Sequence, residues 1–139
     1  MRAIVIAAWA MLAGMAAPTL AAEVPSFKGI MQELGRHMCA LGDAILREDY
    51  RGIGDAARAI AEHPGPSDRE LGTILHRLGP DAHQFHQVDE EVHRTALALD
   101  QAARARNMAQ VLRQHSALMQ GCMSCHVPFR ERLRSPAPS

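Results

Sequence analysis

The sequence of 139 residues predicts an all-α fold, an antiparallel up-down four-helix bundle. Three observations carry that prediction. From Pro25 onward, apolar residues recur at steps of three and four, the spacing of one helix face. No run of β-branched residues alternates with polar ones, so no strand is expected. The links between periodic segments are short and nothing repeats, and helices joined that way pack as antiparallel neighbours.

The chain starts MRAIVIAAWAMLAGMAAPTLAAEVPSF. Arg2 supplies a positive start, Ala3 to Ala17 an uncharged apolar run, and Pro18 to Ala22 a small-residue end. That order marks a secretory signal peptide, and the run is short for a membrane span. Residues 1–21 are therefore expected to be removed, with cleavage after Ala21 (after Ala22 as the next choice), leaving residues 22–139 as one exported, soluble, periplasmic domain. In the first helix, Ile30, Leu34, Met38, Leu41 and Ile45 share a face, with Ser26 as N-cap. Arg51 to Glu62 reads as a shorter second helix with Ile53, Ala57 and Ile60 inward. His63-Pro64-Gly65-Pro66 breaks it. Arg69 to Leu78 reads as a short extra helical segment ended by Gly79-Pro80. Asp81 is expected to cap a long helix carrying Phe85, Val88, Val92, Ala96, Leu99 and Ala103 on one stripe. Asn107 caps the last helix, whose stripe runs Met108, Val111, His115, Leu118, Cys122, His126, Phe129 and Leu133.

Composition narrows the function classes. Without Arg2 the chain carries 14 Lys+Arg against 15 Asp+Glu, and no basic stripe is interleaved with aromatics, so nucleic acid is not an expected partner. With Trp9 in the leader, Tyr50 and three Phe are the remaining aromatics. A core built from Leu, Ile, Val, Met and Ala leaves room for a large flat prosthetic group to supply apolar bulk. Neither a nucleophile–base pair nor paired carboxylates stand out, so enzymatic catalysis is not expected.

The residues that carry chemistry are Gly121-Cys122-Met123-Ser124-Cys125-His126. On a helix Cys122, Cys125 and His126 lie on one side. That spacing suits C-x-x-C-H haem attachment, in which each thiol adds to a porphyrin vinyl and the histidine takes the iron. Zinc would need two more ligands with their own close pairing, and Cys39 with a scattered histidine is a poor match. A thioredoxin-like pair belongs at a strand-to-helix junction. A disulfide between Cys122 and Cys125 would strain a continuing helix. One covalently bound haem c is the expected cofactor.

The stretch G-C-M-S-C-H-V-P-F-R resembles the end of class II c-type cytochromes, the cytochrome c′ family. The early stretch F-K-G-I-M-Q-E-L-G-R-H-M-C-A-L-G looks like that family's first helix, particularly its low-spin, methionine-ligated branch. The resemblance spans essentially all of the mature chain. It implies a left-handed bundle with haem between the first and last helices, His126 and Met31 as the two iron ligands, and Arg130, from the family's C-H-x-x-x-R pattern, offsetting a haem propionate. Gly35 and Gly42 agree with Met31 as ligand, since they would let a flat group approach that side of the helix. The plainer readings stand beside these: Met31 as core, Arg130 as an exposed helix-end residue. His37, His86 and His93 compete as sixth ligands, yet each sits one position off its stripe, which suits a solvated or interface histidine. His115 reads as a satisfied core histidine and Cys39 as a small buried residue. The family's propionate arginine one turn before the sixth ligand is replaced by Phe27, with Lys28 or Arg36 as substitutes.

The sixth position separates two functions. A His/Met iron makes an electron carrier that exchanges single electrons with redox partner proteins. An open position makes a five-coordinate protein that binds nitric oxide or carbon monoxide. A homodimer through the first two helices is an option the resemblance supplies.

Overall fold

The structure is a computed structural model that describes residues 25–134. The expected signal peptide lies outside the described residues. Among these residues there are five α-helices, a short 3₁₀ turn and no strand: α1 (Phe27–Leu46), α2 (Tyr50–Ala61), α3 (Asp68–Leu78), the turn Gly79–Asp81, α4 (Ala82–Arg104) and α5 (Met108–Arg134). No described helix is long and apolar enough to cross a membrane. The fold is all-helical as expected, with the segment after the His-Pro-Gly-Pro break formed as a full helix.

Helix starts follow local chemistry. The Ser26 hydroxyl accepts from the Gly29 amide at 3.1 Å, Asp49 Oδ1 from Gly52 at 3.0 Å and Asn107 Oδ1 from Gln110 at 3.0 Å. Each satisfies one of the amides that a helix start leaves unpaired. Asp81 does not cap α4 in this way. Its carboxylate is taken by Arg132 at 2.7 Å, 51 residues further on, so the expected cap is corrected to a tertiary ion pair.

The two tight hairpin turns are alike. At the end of α1, the Glu48 amide donates to the Ile45 carbonyl and the Asp49 amide to that of Ala44; at the end of α4, Arg106 donates to Ala103 and Asn107 to Ala102. Both are Schellman closures with a left-handed residue at their centre, Glu48 (φ 55°) and Arg106 (φ 52°), where glycine is usual. The next residue caps the following helix, so each chain reversal uses only three residues. Arg106 also lies over the Tyr50 ring at 5.1 Å, tying the two reversals together.

Packing divides the bundle into two ends. Near the hairpin turns, Leu41, Ala44, Ile53, Ala57, Ile60, Ala96, Leu99, Ala103, Val111 and Leu118 form one buried cluster. Its many alanines let α1, α2, α4 and α5 approach closely. Gly121 serves the same end, because a Cβ there would meet Val92 Cγ2 at 3.0 Å. At the other end a smaller cluster of Ile74, Leu78 and Phe129 gathers Phe27, Phe85 and Leu133 around it. This second end is incompletely filled by side chains, and a cleft opens there.

One polar network is built into the tight end. Asp100, with its side chain 12 % exposed, accepts from Arg58 at 3.1 and 3.3 Å and from Arg104 at 3.0 and 3.1 Å. Asp100→Ala would leave both guanidinium groups without their shared partner, although the solvent exposure of Arg58 and Arg104 limits the loss. The expected cost is about 2 kcal/mol. A urea titration checks it, and a change under about 0.5 kcal/mol would show the network to be fully solvated.

Candidate functional site

The site is a cleft of about 650 Å³ bounded by α1, α3 and α5. From α1 come Phe27, Lys28, Met31 and Gln32; from α3 Glu70, Thr73, Ile74 and Arg77; from α5 Cys125, His126, Phe129, Arg130, Leu133 and Arg134. Met31, Cys125, His126 and Arg130 therefore share one cleft, although Met31 and His126 are 95 positions apart in sequence. Cys122 lies one turn before Cys125 on α5 and is half-buried, outside the lining itself.

Helix α3 is the wall that the four-helix expectation left without a role. It is held to α1 by Glu70, whose Oε2 accepts from the Phe27 amide at 2.9 Å, a long-range cap on the first turn of α1. It is held to α5 by Arg77, which donates to the Leu133 carbonyl at 3.0 Å, and by Arg132, which donates to the Arg77 and Leu78 carbonyls at 3.1 and 2.9 Å. Those carbonyls end α3, where helix geometry leaves them without partners. Behind the lining, Phe85 joins its two aromatic rings: it lies 6.3 Å from Phe27 and 5.7 Å, edge-on, from Phe129.

Charge is distributed unevenly around the cleft. Lys28, Arg77, Arg130 and Arg134 face Glu70 as the one carboxylate of the lining, and Glu70 already serves the Phe27 amide. The opening suits an anionic group such as a carboxylate. Arg130, which also lies 3.7 Å from Glu131, keeps a side chain 57 % exposed. Arg36 turns away and pairs with Glu33, so of the two expected substitutes for a missing arginine, Lys28 is the one at the cleft.

The cysteines carry free thiols. Burial pushes the Cys122 thiol up, and burial, with smaller effects from Asp89 and Cys122, pushes that of Cys125 up to about 11. Both shifts disfavour the thiolate, the form that attacks electrophiles and binds metals.

Several expectations are corrected here. Cys39 is exposed, not buried. His115 is half-exposed, on the flank of a stripe whose buried members are Val111 and Leu118. Gly35 and Gly42 do not line the cleft, which sits on the first turns of α1; Gly42 lies about 16 Å further along the axis than Met31. Of the competing histidines, His37, His86 and His93 are all outside the lining. His86 is solvated beside Glu90, whereas His93 reaches the end of α2. Sequence reasoning missed Glu70 and Arg77, since their roles depend on where α3 docks. No protein-family model, curated protein or solved structure matches this chain.

Proposed function

We propose that this chain is a periplasmic monohaem c-type cytochrome that carries single electrons, with haem c attached through Cys122 and Cys125 and the iron held by His126 and Met31. The observation that carries the reading is the convergence of Met31, Cys125 and His126 on one cleft. The donor set fits: two thiols and an imidazole at C-x-x-C-H spacing on one helix, and a thioether on the helix across from it. The surroundings fit as well, with an apolar and aromatic floor of Phe27, Ile74 and Phe129 below a cationic rim.

When bound, the haem supplies a one-electron ferric/ferrous couple, which the His/Met pair moves to higher potential. The chain's own residues do the rest. His126 and Met31 stand on separate helices, α5 and α1, each tied to α3 by a hydrogen bond. Phe27, Ile74, Phe129 and Leu133 would keep water away from a bound haem. Lys28, Arg77, Arg130 and Arg134 would offset the propionate charges, a role the sequence reading gave to Arg130, with Lys28 or Arg36 in place of a missing arginine. Periplasmic placement rests on the leader sequence.

The absorption spectrum of the purified, exported protein with and without carbon monoxide tests the proposal. The expected result is a low-spin spectrum that carbon monoxide barely changes. A high-spin spectrum with ready carbon monoxide binding would assign the chain instead to five-coordinate, gas-binding haem proteins. A preparation without haem bands would remove both readings.

A further inference from the structure

Away from the cleft, the end of α2 and the middle of α4 bring together His63, Asp89 and His93. One potential ligand atom from each, a ring nitrogen or a carboxylate oxygen, lies within 4.8 Å of the others. The rings of His63 and His93 stack with centroids 4.6 Å apart and planes 28° apart. Asp89 and His93 are one helical turn apart on α4, with Asp89 Oδ2 3.6 Å from His93 Nε2. All three side chains are half-buried, reachable by an ion yet sheltered from bulk water.

The second ring nitrogens make the cluster more than a chance grouping. His93 Nδ1 lies 2.6 Å from the Ala61 carbonyl, and His63 Nδ1 lies 3.0 Å from the Pro64 carbonyl. A carbonyl only accepts, so each Nδ1 carries a proton, and in the neutral ring the lone pair is then on Nε2. A metal-bound histidine takes the same arrangement, with its outer N–H on a backbone carbonyl to fix the tautomer and ring orientation. The Ala61 carbonyl belongs to the last turn of α2, where it has no helical partner, and the two prolines after His63 stiffen the loop that presents it.

We propose that His63, Asp89 and His93 form a binding site for one divalent transition-metal ion of the zinc class, with water completing its coordination. Two imidazoles and a carboxylate are borderline and hard donors that suit zinc. Three protein ligands leave a position for solvent. The site uses no residue of the cleft, so it stands or falls independently of the haem reading.

The test is titration of the full purified chain, first freed of metal with a chelator, with zinc chloride under calorimetry. Binding of one ion per chain is expected. His63→Ala should weaken it at least about tenfold, and Asp89→Asn about 10- to 100-fold. His86→Ala, on the same helix but solvated, should leave it unchanged. Zinc should also raise the melting temperature of the unaltered chain more than that of His63→Ala, whose substitution lies in a loop and spares the helices. Absence of binding to the unaltered chain would overturn the proposal. So would binding that survives His63→Ala in full, because the ion would then be held by other residues.

Discussion

Replacing Cys122 and Cys125 together by Ala is expected to take the protein from one covalently held haem per chain to none. Thioether bonds survive denaturing electrophoresis and acid–acetone extraction, whereas iron–ligand bonds do not, so haem-dependent peroxidase staining reads the change directly. Cys39→Ala should keep the full signal, since that thiol is exposed on α1 and apart from the cleft. The thiols themselves offer a reason why attachment would need assistance. Burial raises the pKa of both, that of Cys125 to about 11, which disfavours the reactive thiolate. Loss of the haem signal from Cys39→Ala, or its retention in the double variant, would assign attachment to the wrong cysteines.

Met31→Ala is expected to change the spin state. The thioether stands in the cleft with His126, and Phe27 and Ile74 line the same wall, so a methyl group there leaves space for water or a small gas. The variant should become high-spin, take up carbon monoxide readily and lose reduction potential, because a soft sulfur ligand favours ferrous over ferric iron. His86→Ala and His93→Ala should leave the spectrum as it was, since neither side chain reaches the cleft. A shift to high-spin bands in either histidine variant, with Met31→Ala silent, would move the sixth ligand to that histidine.

Much of the fold was legible because its signals are local. The 3.6-residue period, Ser26 and Asn107 as caps, and the Gly79-Pro80 stop each act within a few residues of where they stand. The features that were not legible depend on distant partners. Asp81 resembles a cap in every local respect, but Arg132 claims its carboxylate from the far end of the chain. Glu48 and Arg106 close two turns without glycine, so their left-handed backbone left no mark in the sequence. The C-x-x-C-H motif was visible as a string, and Met31 was singled out only by resemblance. Glu70 and Arg77 acquire meaning once α3 docks between α1 and α5. His93 read as an off-stripe solvated or interface histidine, and the same offset is what aims it at the end of α2 and His63.

The central claim is that a single haem is bound covalently through Cys122 and Cys125 and sits in the cleft between α1, α3 and α5. Intact-mass analysis of the exported protein, followed by sequencing of its haem-bearing peptide, tests it most directly. The account predicts the mass of the processed polypeptide plus one haem, with the added mass on a single peptide that contains both Cys122 and Cys125. A chain at its bare polypeptide mass, with both thiols free to alkylation after denaturation, would contradict it.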